Sequence, residues 1–186
     1  MWAEDSPSPI GYPMRSILFI ILGLGAIILS GRPRFKLRSY RFFRLLAFEA
    51  LLLLVYVNSP SWFFAPFSTQ QVFSWILLLG SIVLAIHGFW MLRTYGQPTD
   101  GIETTTQLVD SGAFRFIRHP LYTSLLLFGW GVFLKHPTWT AAGITLGATA
   151  FLMATTLSEE EENRGRFREA YTEYQQHTWR MIPFVF

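Results

Sequence analysis

Along this chain the apolar residues gather in runs whose length is more informative than any periodicity. A bilayer's hydrocarbon core is about 30 Å thick and asks for roughly 20 mostly apolar residues per helix, with about 17 as a lower limit. Met14 to Ser30, Val72 to Met91 and Thr138 to Leu157 reach that length almost without charge. Phe42 to Asn58 is a fourth candidate, although it carries Arg44 near one end and Glu49 inside. Leu121 to Leu134 is short by itself and reads as a shielded or re-entrant helix, joined through the minimal turn Lys135-His136-Pro137 to the following run as an antiparallel hairpin. The pattern predicts an all-α polytopic membrane protein, a single domain over residues 1–186, with about five transmembrane helices and a C-terminal cytoplasmic amphipathic helix.

Composition strengthens this reading. Among 186 residues, 51% are hydrophobic and 17% aromatic while only 15% are charged, a balance that fits a membrane protein better than a soluble globule. The charge distribution then orients the spans, because cytoplasmic loops are enriched in Lys and Arg. Arg32, Arg34, Lys36, Arg38 and Arg41 fall in the first loop, Arg93, Arg115 and Arg118 in the third, and Arg164, Arg166, Arg168 and Arg180 in the tail. The second loop has no basic residue and the fourth only Lys135. Five spans with the N-terminus outside and the C-terminus in the cytoplasm put every arginine-rich segment on one side, which a four-span arrangement does not. The formal charge of +3 is dispersed over these short loops, so it points to membrane lipid headgroups and not to nucleic acid. The acidic, proline-rich start MWAEDSPSPIGYP is unlike the n-region of a signal peptide and reads as a retained, partly ordered tail.

Cysteine is absent, which removes disulfides, thiolate nucleophiles and cysteine zinc sites. The four histidines, His87, His119, His136 and His177, lack zinc-ligand spacing, so no metal is expected. Gly23, Gly25, Gly129, Gly131, Gly143 and Gly147 fit close helix packing in lipid. Glu49 and His87 lie within predicted spans, where an ionisable group is a functional candidate by default; a buried structural hydrogen bond is an equally good account of each.

The remaining polar chemistry sits at the two ends of the hairpin. Pro120 stands where a helix starting at the membrane face has its first turn, a position that tolerates a missing N–H. Arg118, His119 and Tyr122 surround it, and interfacial anchoring is the simplest account of them. After the last span, Ser158 and Glu161 have capping-box spacing, and Phe167, Tyr171 and Tyr174 fall on one helical face. Four consecutive glutamates, 159 to 162, follow directly from a span. Carboxylates near the bilayer are costly unless solvated or paired, so one or two of them are expected to turn inward to a partner.

The ordered set Gly112, Arg118-His119-Pro120-x-Tyr122, the glutamate pair Glu159 and Glu160, Phe167, Tyr171, Tyr174, Arg180 and Pro183 resembles the C-terminal half of the isoprenylcysteine carboxyl methyltransferase-like family, whose relatives include phospholipid methyltransferases. The resemblance spans about Leu108 to Pro183. It implies an integral membrane enzyme that uses S-adenosylmethionine to methylate a lipid-like or small-molecule acceptor. It also implies a cofactor site formed by Arg118, His119, Tyr122, Glu159, Glu160, Phe167, Tyr171 and Tyr174, with Thr155 and Arg180 toward the substrate. The residue types suit that cofactor: carboxylates for its ammonium or ribose diol, cations and N–H donors for its carboxylate, and aromatic walls for adenine. Methyl transfer needs mainly positioning, so no catalytic residue is assigned. The chain departs from the family at Thr155, where the carboxyl-methylating branch has arginine, at Arg168 in place of a common glycine, and at Asn163 and Arg164 in place of leucines. These departures put a prenylcysteine carboxylate in doubt as acceptor and leave cofactor binding less affected. A membrane reductase using NADPH and a non-enzymatic membrane protein are the competing readings. No protein partner is expected.

Overall fold

The computed structural model describes residues 16–17, 19–21, 23–25, 40–99 and 104–183. The described residues between 16 and 25 are helical, and then come α1 (Tyr40–Asn58), α2 (Thr69–Tyr95), α3 (Pro120–Phe133), α4 (Trp139–Phe167) and α5 (Glu169–His177). Two isolated bridges, Pro98 to Thr105 and Ile117 to Trp179, are the β-type pairing among the described residues. The expected all-α class is therefore correct. α1 with the 3-10 turn that follows it, α2 and α4 are long and apolar enough to cross a bilayer. α3 has 14 residues and extends about 21 Å, less than the hydrocarbon thickness. Most of the expected span Met14 to Ser30 lies outside the described residues, so three of the five expected spans have full-length helices.

Local chemistry sets the helix ends. Ser68 caps α2 by accepting from the Gln71 N–H, and Thr138 caps α4 by accepting from the Ala141 N–H at 3.1 Å. Pro120 opens α3 in its first turn, as expected. The capping box expected at Ser158 does not form. α4 runs through it without a break, and the Ser158 hydroxyl donates back to the Ala154 carbonyl at 2.9 Å. Nothing between Trp139 and Phe167 stops a helix, and the glutamate run has high helix propensity. The break comes at Arg168, whose φ of 51° and ψ of −123° lie in glycine's territory.

α1 packs chiefly on α4 and α2 on α3, with α3 also touching α1 and α4. Three of the glycines expected at interfaces are there: a Cβ on Gly131 would lie 3.0 Å from Leu78 Cγ, one on Gly129 2.8 Å from Leu51 Cδ2, and one on Gly23 3.1 Å from Glu49 Oε2. Gly25, Gly143 and Gly147 instead face open space, so their smallness serves no packing among the described residues. Gly23 faces Glu49, and Phe19 lies 5.3 Å from the Tyr56 ring, so the first helical run is antiparallel to α1. The outward stripe of α2, Phe73, Ile76, Leu79, Val83 and Ile86, is exposed in the protein alone and suits contact with lipid.

One end of the bundle is closed by a buried polar cluster. Lys135 Nζ donates to Gln71 Oε1 at 3.0 Å and sits 3.4 Å above the Trp75 ring, while Gln71 Nε2 returns a bond to the Lys135 carbonyl. Asn58 and Ser74 donate to the Val132 and Gly131 carbonyls, at 2.8 and 2.7 Å. These bonds satisfy the last carbonyls of α3 and tie α1 and α2 to them. The opposite end carries the arginines, the glutamate run and the C-terminal segment. Arg168→Gly is expected to raise stability by about 1 kcal/mol, since relief of a strained backbone exceeds the extra unfolded-state entropy of glycine. A lower melting temperature for this variant in detergent would show that the backbone at position 168 is unstrained.

Candidate functional site

The loop after α2 is built around one histidine. The Ala113 N–H donates to His87 Nε2 at 3.1 Å, which leaves the ring proton on Nδ1. Gly112 sits at φ +59°, and a Cβ there would lie 2.7 Å from the same nitrogen, so both backbone conformation and space require glycine. His87 thus has a structural use: it holds the 3-10 turn Gly112–Arg115 against α2. Phe114 in that turn is buried with Met91 and Val109.

The next residues pair with the tail. The Arg118 N–H donates to the Trp179 carbonyl at 2.7 Å, the His119 N–H to that of Arg180 at 3.1 Å, and the Trp179 N–H to that of Phe116 at 2.9 Å. The Thr123 hydroxyl adds a bond to the Met181 carbonyl at 2.9 Å. Glu160 fastens this pairing to α4. It has no exposed surface, and it accepts from Arg118 Nε at 2.8 Å, from Arg180 Nε at 3.1 Å and Nη2 at 2.9 Å, and from Gln175 Nε2 at 3.2 Å. Arg118 Nη1 in turn donates to the Thr178 carbonyl. A buried carboxylate is tolerated only when cations and hydrogen bonds fill its lone pairs, and here four donors do so.

Glu159 precedes Glu160 by one residue, about 100° around the helix, and faces a different space. A cavity of about 240 Å³ opens there, between all five helices and the loop 105–119. Phe48, Leu92, Leu121 and Leu125 supply an apolar wall. Arg44, Arg118, His119, Tyr122, Glu159 and Asn163 supply the polar one, and Phe167, Tyr171 and Tyr174 an aromatic one. Those three rings were expected on a single helix. The break at Arg168 divides them between α4 and α5, yet Phe167 and Tyr171 stack with centroids 6.5 Å apart and Tyr174 lies 5.9 Å beyond. Burial, and then the Glu160 charge, push the Tyr171 hydroxyl up to about 12, and burial also raises Tyr174, so both stay protonated donors at neutral pH. Tyr174 uses its proton on the Phe114 carbonyl at 2.6 Å.

Among the buried polar atoms on this cavity that make no hydrogen bond among the described residues are Glu159 Oε2, His119 Nε2 and the Tyr171 hydroxyl. His119 Nε2 is 3.5 Å from Glu160 Oε1, too far for a well-formed bond. Leaving such groups unmade costs about 1–3 kcal/mol each, which makes them the places where a ligand gains most. Of the residues expected to form the site, Arg118, His119, Tyr122, Glu159, Phe167, Tyr171 and Tyr174 line this cavity. Glu160 and Arg180 lie behind the wall, in the clasp that holds the tail. Thr155 is buried in α4, and its hydroxyl donates to the Phe151 carbonyl at 2.8 Å. Arg44, Phe48 and Asn163 were not assigned from the sequence; the signal for Arg44 was a cation one turn inside an apolar span. Among the described residues no group of three or more His, Asp or Glu is placed to hold a metal ion.

The family model for phospholipid methyltransferase matches residues 69–169, just over half of the chain. The chain belongs to the phospholipid methyltransferase family. No curated protein and no solved structure matches it. The family segment runs from the start of α2 to the first residue of α5 and so contains the cavity walls from α2, the loop, α3 and α4. It begins earlier than the resemblance found in the sequence and ends before Tyr171, Tyr174 and Arg180. With its three membrane-length helices, this phospholipid methyltransferase family member is an integral membrane protein of a methyltransferase family, which favours methyl transfer over the reductase and non-enzymatic readings.

The two adjacent glutamates are expected to behave oppositely. Glu160→Gln strips the buried charge from between two half-buried arginines and is expected to destabilise the fold by about 3–5 kcal/mol. Glu159→Gln is expected to change stability by less than about 1 kcal/mol, since Oε2 has no partner to lose. Thermal unfolding of both variants in the same detergent decides this, and equal melting temperatures would remove the structural role given to Glu160.

Proposed function

We propose that the protein transfers a methyl group from S-adenosylmethionine to a lipid-like acceptor in the membrane, and that the reacting group is an amine, a thiol or a phospholipid headgroup and not a carboxylate. The observation that carries this reading is the pair of unpartnered buried atoms, Glu159 Oε2 and His119 Nε2, facing one aromatic-walled cavity in a methyltransferase-family chain. When bound, S-adenosylmethionine supplies an electrophilic methyl group on a sulfonium.

The cavity's chemistry fits that cofactor. Glu159 accepts from its ammonium or ribose hydroxyls, His119 donates to its carboxylate, and Phe167 and Tyr171 provide flat apolar surface for adenine. Glu160 and Arg180 act one layer back, and Arg118 joins them to the wall: by tying the tail across residues 116–119 they fix His119 and keep bulk water from the far wall. Orientation of donor and acceptor in a dry pocket is the main contribution a protein makes to such a displacement. The acceptor's apolar part lies along Phe48, Leu121 and Leu125. Against a carboxylate acceptor stands Thr155, whose hydroxyl is occupied within its own helix and carries no charge. The arginine distribution supports a cytoplasmic site, with the N-terminus outside.

Calorimetric titration of the purified protein with S-adenosylhomocysteine and with NADPH tests this. Binding of the first and not the second is expected, and His119→Ala and Glu159→Gln should each weaken it about ten- to a hundred-fold, the loss of one charge-assisted hydrogen bond. NADPH binding alone, or equal S-adenosylhomocysteine affinity in wild type and both variants, contradicts the proposal. Sidedness is read separately: cysteines placed at Ser68 and Glu162, at opposite ends of the bundle, should react with an impermeant reagent from opposite faces, Glu162→Cys from the cytoplasmic one.

A further inference from the structure

At the end of the bundle away from the cavity, residues 59–68 join α1 to α2. The burial pattern here is the reverse of that on a water-facing surface. Asn58, Gln71, Ser74 and Lys135 are buried, whereas Phe63 is 73% exposed, Phe64 71% and Phe67 93%, and Trp139, at the start of α4 on the same end, is 95% exposed. Single exposed rings are ordinary, but several together mark a surface that something apolar covers. No Asp, Glu, Lys or Arg stands between Glu49 and Arg93, so neither the connection nor the helices on either side of it carry such a charge at this end. The connection also folds back along the bundle instead of projecting from it. Phe63 lies beside Trp75, a turn and a half into α2, with ring centroids 6.1 Å apart, and Trp62 packs against Leu54, Leu78 and Val132. It closes over the end of α3, where Gln70 Nε2 donates to the Leu134 carbonyl at 2.7 Å and the Trp62 ring centroid is 5.6 Å from Lys135 Nζ. With 14 residues α3 is shorter than the hydrocarbon is thick, so this closure lies at a level that lipid still borders.

We propose that residues 62–67, with Trp139, form a membrane anchor: Phe63, Phe64 and Phe67 insert at the boundary of headgroups and acyl chains in the leaflet opposite the cavity, held by apolar contact and not by headgroup charge. The occupant of this surface is lipid because the surface is continuous with one that already faces lipid, the stripe of Phe73, Ile76, Leu79 and Val83 on α2. Aromatic rings are the side chains that collect at this depth of a bilayer. The backbone suits it as well. The N–H groups of Trp62, Phe64 and Ser68 donate to the carbonyls of Ser59, Ser61 and Ala65, and Pro60 and Pro66 have no N–H, so few donors here call for water. A protein partner is instead fixed in register by a polar rim, and no charged side chain of this connection supplies one.

The absence of cysteine allows a single spin label at any chosen position. Phe64→Cys and Phe67→Cys are labelled with a nitroxide, together with two references, Val83→Cys on the lipid-facing stripe of α2 and Glu162→Cys at the other end of the bundle. Each full-length variant is placed in phosphatidylcholine nanodiscs, with and without phosphatidylglycerol. Collisions of the label with oxygen, which concentrates in lipid, are compared with those of a polar nickel chelate, which stays in water. At positions 64 and 67 oxygen collisions are expected to exceed chelate collisions, as at 83 and opposite to 162, and phosphatidylglycerol should leave this order unchanged. Chelate collisions in excess at 64 and 67 put the rings in water and overturn the proposal. Shielding from both reagents overturns it too, because protein then covers the rings, and dipolar broadening between labels identifies that protein as a second copy of the chain. An excess of oxygen collisions seen only with phosphatidylglycerol contradicts the part that excludes headgroup charge. The two positions are read independently, so either variant alone decides if the other does not fold.

Discussion

A carboxylate with no exposed surface, Glu160 near the end of α4, is held between the guanidinium groups of Arg118 and Arg180. Those two arginines come from segments 62 residues apart in the chain, one leading into α3 and one in the tail, and no apolar packing alone would bring them together in register. The desolvation cost of the three charged groups is offset only while all remain in place, which makes the arrangement close to all-or-none. With it come the pairing of residues 116–119 with residues 179–180, the return of α5 across the end of the bundle, and the far wall of the cavity. The polar residues at the two ends of the α3–α4 hairpin are one assembly, and its purpose is to close a pocket.

The pocket itself follows from a division between neighbours. Glu159 and Glu160 differ by about 100° around α4, so one carboxylate is consumed by structure while the other keeps an oxygen without a partner in the cavity. Arg118 belongs both to the clasp and to the cavity wall, and Arg44 lines the same cavity from α1. At the other end of the bundle, Lys135 on Trp75 and Gln71 seals the helix ends without leaving a cavity-facing cation.

Much of this was legible in the amino-acid sequence. Apolar run length identified α1, α2 and the start of α4 to within a few residues, because a bilayer constrains length more tightly than a soluble core does, while α4 runs ten residues past its apolar run to Phe167. Most of the pocket was legible too, since Arg118, His119, Tyr122 and Glu159 stand in a recognisable order. The errors have physical causes. The capping box at Ser158 had the right spacing, but spacing does not reveal that the preceding helix never stopped. Which of two adjacent glutamates faces the cavity depends on the rotation of α4 against its neighbours, which spacing in the sequence does not reveal. Arg44 was visible as a charge inside a span, but its direction required the crossing of α1 over α3 and α4. The positive φ of Arg168 was hidden because an arginine stands where the backbone favours glycine.

The central claim is that the cavity closed by the Glu160 clasp is the cofactor site. Hydrogen–deuterium exchange of the protein in lipid nanodiscs, with and without S-adenosylhomocysteine, tests it most directly, because backbone protection reports where a ligand settles without requiring turnover. The account predicts slower exchange on ligand addition in residues 112–119 and 167–181, with residues 69–75 at the opposite end unchanged. Unaltered exchange in both of the first segments under conditions where the ligand is bound, or protection confined to the Lys135 end, would contradict it.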